Sequence, residues 1–316
     1  MKKFVKYIIA FFIPFLLGIV PLFILPLDKG FSYRFVMGEC DNKASWIFNR
    51  IFIKKDNIDL AFMGASHISC AIMDEYIGKE LNLFSEKEIK VANLGYCRGG
   101  RDIQYVMLKD LFQNKKPKLL VLEVMEDEPK KSHPVFPYLA ESVDLIGSHV
   151  IFNQRYFTNL YKGLVVRFEQ FKYKIYGVEY ELSENNPDFG YLPSEQIVDP
   201  KKLTENKVSW QKRLTRKKAG ILRGIELNYS RHYIEKMVTI ARDNNCEVVF
   251  LYLPESGSGL KMPMLADYYQ TLGELLVLPD SILSNKNNWK DATHFNNFGA
   301  LEVSGYLSSK LACELN

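Results

Sequence analysis

Three polar side chains have the types and spacing that acyl-transfer chemistry needs. Ser66 stands in GASHIS (64–69), directly behind the apolar run IDLAFM, and Asp291 and His294 stand in WKDATHFNNFGA (289–300) with two residues between them. At that spacing a carboxylate reaches the imidazole of its own turn. It fixes the tautomer and stabilises the imidazolium that forms when the other ring nitrogen takes a proton. A serine hydroxyl can give that proton and become a nucleophile. Structural roles compete for the same residues. Serine is a common N-cap, and Asp291 stands where it could cap the closing helix. His67, beside Ser66, begins a helix and is expected to point away from the site. His133, His149 and His232 read as structural or solvated.

A serine and its base so far apart in the chain need a scaffold that brings both to one edge. Continuous apolar runs at 58–64 (IDLAFMG), 90–95 (KVANLG), 118–124 (KLLVLEV) and 247–254 (EVVFLYLP), with a weaker one at 274–280 (ELLVLPD), have strand length and the pattern of fully buried strands. Segments 66–82, 101–114, 229–245 and 298–315 carry apolar residues at helical spacing. This alternation predicts a doubly wound, parallel α/β sheet in three layers. In such a sheet the site lies outside the carboxyl ends of the strands. Ser66, two residues past the first run, falls there, at a helix N-terminus whose free N–H groups can steady an oxyanion. The glycine-bearing loop NLGYCRGGR (93–101) follows the second run. Its Arg98 and Arg101 are candidates to bind a substrate carboxylate or phosphate; pairing with Asp102 or another acid is the plain alternative.

The N-terminus carries Lys2, Lys3 and Lys6, then 21 residues without a charge, Tyr7 to Leu27. As a helix that run spans roughly 31 Å, about one hydrocarbon core. The leading lysines place the N-terminus in the cytoplasm and the rest outside. The run exceeds the apolar region of a cleaved signal, and LPLDKG offers no small-residue cleavage site. Residues 1–28 therefore read as an uncleaved transmembrane anchor, kinked at Pro14, Pro21 and Pro26. Residues 29–57 read as a connector and 58–316 as the α/β domain, with an insertion at about 130–228. From Arg155 to Arg231 the chain is net +6, against −2 for the remainder. The segment is rich in aromatics (Tyr156, Phe157, Tyr161, Phe168, Phe171, Tyr173, Tyr176, Trp210) and reads as an inserted cap. KRLTRKK (212–218) is its most basic part. It is either a solvated basic face or a contact for anionic headgroups or an anionic glycan.

Hydrophobic residues make up 47% and charged residues 25%, so the chain is globular and not disordered. A net charge of +4 makes no case for nucleic acid. Five cysteines without C-x-x-C spacing read as small buried residues, although a disulfide is permitted outside the cytoplasm. Scattered histidines and cysteines give no metal pattern. CRGGR lacks the ending of a phosphate loop, and no dinucleotide fingerprint occurs. No cofactor and no metal is therefore expected. The second glycine of G-x-S-x-G is also missing.

Taken together these elements resemble the SGNH/GDSL hydrolases. GAS (64–66) is similar to the nucleophile block, Asn93–Gly95 to the second block, and DATHFNNFGA to the final D-x-x-H-x-N-x-x-G-A block. The resemblance covers about 58–128 and 229–314. It implies Ser66 as nucleophile, His294 as base, Asp291 as its orienter, and the backbone N–H groups of Ser66 and Gly95 as the oxyanion hole. Asn93 beside them becomes a further candidate for substrate binding. Two departures stand out. Ala65 replaces the usual aspartate, and the third strand ends LEVMEDE without the asparagine that supplies a side-chain donor worth roughly 3–4 kcal/mol. With its anchor, the chain is most similar to envelope members such as DltD-like proteins of teichoic-acid D-alanylation and partners of polysaccharide O-acetylation. The implied function is a membrane-anchored, extracytoplasmic serine acyl hydrolase or acyltransferase of the bacterial envelope. Its substrates would be ester-linked acyl groups on an envelope glycan or polymer, with a membrane-bound O-acyltransferase as partner. The alternative is a catalytically weak accessory or scaffold protein of such a complex.

Overall fold

The computed structural model describes residues 2–36, 38, 40, 42–126, 128–148, 153–177, 190–216 and 220–315. In chain order these form α1 (Lys2–Ile24), α2 (Lys29–Phe35), α3 (Lys43–Phe48) running into a π-helical turn (Asn49–Ile53), β1 (Leu60–Met63), α4 (Ser66–Ala71), α5 (Asp74–Asn82), β2 (Val91–Asn93), α6 (Arg101–Asn114) and β3 (Leu119–Val124). There follow α7 (Phe136–Leu139), α8 (Ser142–Ile146), α9 (Tyr156–Tyr176), α10 (Pro200–Arg216), α11 (Gly220–Asp243), β4 (Glu247–Tyr252), α12 (Ala266–Gln270), β5 (Glu274–Val277), α13 (Asp280–Ser284) and α14 (Asn297–Leu315).

The five strands make one parallel sheet in the order β2-β1-β3-β4-β5, with Leu60 of β1 in register with Val91 and Leu119. Alternate residues feed opposite layers, as a two-residue period requires. Ala61, Met63, Leu120, Leu122 and Phe250 join a core under α6 and α11, while Leu60, Phe62, Leu119, Val121 and Leu251 join a second core under α4, α5 and α14. Helices on both faces explain why the strands read as unbroken apolar runs. The chain leaves β1 for β2 on one side and returns to β3 on the other. The crevice of the sheet therefore opens at the carboxyl ends of β1 and β3.

Three features differ from the sequence expectation. Residues 66–82 form two helices, because the Asn93 side chain donates to the carbonyls of Ile68 (2.9 Å) and Ile72 (2.7 Å), and the Ser304 hydroxyl accepts from Met73 N–H. The Ile72 carbonyl and the Met73 N–H, which would carry the helix on, are thus taken. The expected connector is part of the fold: Tyr33, Ala44, Ile47 and Ile51 are fully buried in the first core. Cys40 and Cys97 form a disulfide, so these two cysteines are not simply buried apolar residues; Cys70 and Cys246 are free and buried.

The insertion is not one cap. α7, α8 and α9 pack on each other and, with α2, beside the end of α1. α10 lies elsewhere: its Trp210 is buried, with the indole N–H donating to Glu255 (2.9 Å) and Arg213 over the ring. His149, residues 178–189 and Lys217 and Lys218 of the basic run lie outside the described residues. His133 is buried, its ring bonded to the Cys97 carbonyl, and His232 packs edge-on to Tyr233. α1 is long and apolar enough to cross a membrane and is not buried by the domain. It contains Pro14 and Pro21.

Candidate active site

Ser66 is the first residue of α4, and the preceding Ala65 is extended. The 228 residues to its partner are closed by the fold: Ser66 Oγ lies 2.8 Å from His294 Nε2. His294 Nδ1 lies 3.0 and 3.1 Å from the two Asp291 oxygens. The carboxylate therefore holds the proton on Nδ1 and leaves Nε2 to accept from serine. Asp291 does not cap α14. Its Oδ1 accepts from the N–H groups of Thr293 (2.7 Å) and His294 (2.9 Å) and from the Thr293 hydroxyl (3.0 Å). Partial burial pushes the Asp291 carboxyl up, but the His294 ring and these donors outweigh it and hold it well below the usual carboxylate range. The cap of α14 is Asn296, whose Oδ1 accepts from Phe298 and Gly299 N–H. Stacking of Trp289 on Phe295, 4.3 Å between centroids, closes the Asp–His loop from behind.

Beneath the serine lies a second acid–histidine pair that the sequence reading missed. Glu123, fully buried in β3, accepts from Ala65 N–H with one oxygen (2.5 Å), and its other oxygen lies 2.7 Å from His67 Nδ1. A Cβ on Gly64 would stand 2.4 Å from that carboxylate, so only glycine lets Glu123 reach under the turn. His67 does not point away from the site. Its ring is tilted against His294 at 5.2 Å between centroids, it lines a cavity with Ser66, and its Nε2 has no partner among the described residues. Burial pushes the His67 ring down. The charge and hydrogen bond of Glu123 outweigh burial and raise it above its ordinary value. For Glu123 burial pushes up, and His67, Ala65 N–H and Arg101 together bring it below its ordinary value.

Several expected site residues do other work. Gly95 is not a free oxyanion donor, because its N–H donates to Asn93 Oδ1 (3.0 Å). It is glycine because a Cβ would stand 2.6 Å from Ser69 N, so the loop can lie directly against α4. Asn93 does not face substrate: it is fully buried, spent on Ile68, Ile72 and Gly95. Arg101 is buried too, held by Glu128 and donating to the Glu123 carbonyl (2.8 Å). Its acid partner is Glu128 and not Asp102, which accepts from His133 N–H and the Tyr229 hydroxyl. Arg98 alone of the three lines the cavity at Ser66, and it is exposed. The Ser66 N–H has no acceptor among the described residues.

Ser66 lies where two cavities meet. One of about 450 Å³ is lined by Ser66, Asp291, His294, Arg98, Lys290, Lys43, the Cys40–Cys97 disulfide, Leu192 and Pro193. Lys43 donates to the carbonyls of Asn93 (2.9 Å) and Gly190, and burial pushes its pKa down to about 8 against the pull of Asp74. The other, of about 250 Å³, is lined by His67, Met125, Leu253, Pro254, Trp210 and the acids Glu126 and Glu255. Residues 190–198 strap the site together. Leu192 N–H donates to Ser69 O (2.8 Å), Ser194 N–H to Asn297 Oδ1 (2.7 Å) and Val198 N–H to Trp289 O (2.9 Å). Among the described residues no three histidines, cysteines or acids are grouped to hold a metal. No protein-family model matches the chain, and no curated protein sequence matches it.

Proposed function

We propose that this chain is a membrane-anchored, extracytoplasmic serine acyl hydrolase or acyltransferase of SGNH type, acting on ester-linked acyl groups of a cell-envelope glycan or polymer. One observation carries the reading: the unbroken relay Ser66 Oγ–His294 Nε2, His294 Nδ1–Asp291, at 2.8 and 3.0 Å. Ser66 attacks the ester carbonyl carbon while His294 takes its proton, and the carbonyl electrons move onto oxygen. Collapse expels the alkoxide, which takes the proton from His294 and leaves an acyl group on Ser66. Water or a glycan hydroxyl then gives His294 a proton and attacks the acyl carbon; collapse expels the Ser66 oxygen, which takes that proton back from His294 and regenerates the serine. Two cavities meeting at Ser66 suit a donor on one side and an acceptor on the other. The oxyanion is taken by the Ser66 N–H. The His67 ring, whose proton affinity Glu123 raises, faces the same cavity beside Met125 and Glu126, where the family's asparagine is absent.

Fluorophosphonate labelling of the full chain in membranes tests this. Modification mapped to Ser66, lost in Ser66→Ala and slowed about a thousandfold in His294→Gln, is the expected result. A native serine that stays inert removes the enzyme reading. It would leave the accessory role in an acyltransferase complex, which the engaged Gly95 N–H favours.

A further inference from the structure

α9 is built inside out. The side it buries carries Asn159, Gly163, Arg167 and Gln170 with a single large apolar residue, Val166. The side it leaves exposed carries Phe157, Tyr161, Phe168, Phe171 and Ile175, 45–77% exposed. Spacings of four, seven, three and four residues keep these on one stripe. The stripe is about 27 Å long at 1.5 Å per residue. Beside it α8 adds Val143 and Ile146, 71% and 58% exposed. A helix of a water-soluble domain has the opposite arrangement, and an apolar patch of this extent marks an interaction surface.

The buried polar side fixes where the stripe sits. Gln170 accepts from Asp28 N–H (2.8 Å) and donates to Pro26 O (3.1 Å), the Ser142 hydroxyl donates to Phe23 O (2.5 Å), and the Arg167 guanidinium lies over the Phe23 ring. All four contacts fall on Phe23, Pro26 and Asp28, in the last turn of α1 or just after it. With α1 across the bilayer, this clamp holds α9 at headgroup depth. α9 cannot itself span, because Lys162, Arg167, Glu169, Lys172 and Lys174 lie along it. We infer that α9 lies in the plane of the membrane surface, its aromatic stripe sunk into the headgroup–acyl boundary of the outer leaflet. Lys162, Lys172 and Lys174 flank the stripe where they meet lipid phosphates. The occupant of this face is lipid. Continuity with α1, the length of the stripe and its Phe and Tyr content argue for the interfacial belt. The inference rests on the anchor reading of α1 but not on the chemistry at Ser66.

The full chain is reconstituted in phosphatidylcholine–phosphatidylglycerol vesicles carrying lipids spin-labelled at shallow or deep positions. Tryptophan is placed at Phe168 (Phe168→Trp), at Phe12 of α1 (Phe12→Trp) and, as a solvent reference, at Leu83 (Leu83→Trp), which is 71% exposed. Each replaces an exposed side chain, so folding is undisturbed. Each variant is read as the emission it adds over the native chain, whose Trp46, Trp210 and Trp289 give a common background. The added emission of Phe168→Trp is expected to lie to the blue of that of Leu83→Trp and to lose about half to the shallow label and less to the deep one. Phe12→Trp should respond most to the deep label. Quenching of Phe168→Trp no greater than of Leu83→Trp, with Phe12→Trp quenched, overturns the inference while the anchor stands. That result would assign the stripe to a protein partner. If Phe12→Trp is not quenched, anchor and inference fall together.

Discussion

At the scale of single residues, the decisive one is Glu123. It pins the N–H of Ala65, holds His67 against His294 and uses Gly64 as its passage. Its charge pairing gives a pH signature. His67 is raised in the fold, so its contribution is full below its ordinary value of 6.5 and is lost as pH rises through the higher folded value. Glu123 is lowered, so its contribution is full above 4.5 and is lost as pH falls through the lower folded value. The pair stabilises most between these limits. The melting temperature of His67→Gln should therefore lie furthest below that of the native protein near pH 5–6 and approach it near pH 9. The same variant should label with fluorophosphonate about ten- to a hundredfold more slowly, if the ring supplies positive charge to the oxyanion. The triad was legible in the sequence because Asp291 and His294 sit in one turn and Ser66 follows a strand. The second pair was not. Its members are 56 residues apart and meet only across β1 and β3. LEVMEDE showed what was missing from the family pattern and hid the acid that stands there.

At the scale of elements, the regular pieces could be read directly: α6 covers the expected 101–114, and all five strands begin within two residues of their apolar runs. Failures came where polar side chains are buried. Residues 29–57 read as a connector, yet Lys43 and Arg50 within it are spent on backbone carbonyls, and the segment packs into the core. Asn93 resembled a site residue by position and is the peg that ends α4. The disulfide joins this misread segment to the glycine loop, across a sequence separation of 57. In the chain-entropy model such a closure is worth about 4 kcal/mol. Cys40→Ser, or a reductant, should lower unfolding stability by about 2–4 kcal/mol in denaturant titrations. Labelling of Ser66 should slow with it, because Cys40 and Cys97 both line the serine's cavity.

At the scale of the whole molecule, the charge asymmetry seen in the sequence divides between two places. α9 takes the aromatics and several lysines to the end of α1, and α10 takes Trp210 and Arg213 to the cavity beside His67. The sequence could locate the basic segment but not its division, since no periodicity says which layer an insertion rejoins. The site and α1 are correspondingly separable. Removing residues 1–26 takes away the Phe23 and Pro26 partners of Arg167, Ser142 and Gln170 and keeps Leu27, which is buried with Phe31 and Val166. That truncation should cost about 1–3 kcal/mol of stability and leave the rate of Ser66 labelling unchanged.

The Cys40–Cys97 clasp also orders events in the life of the chain. Disulfides form and persist in oxidising compartments and are rare in the reducing cytoplasm, and this one completes a wall of the cavity that exposes Ser66. In the proposed extracytoplasmic setting, a chain not yet exported would carry the triad in its sequence and lack the finished chamber around it. On that reading, esters of the cell's own metabolism would be spared until the domain reaches the far side of the membrane.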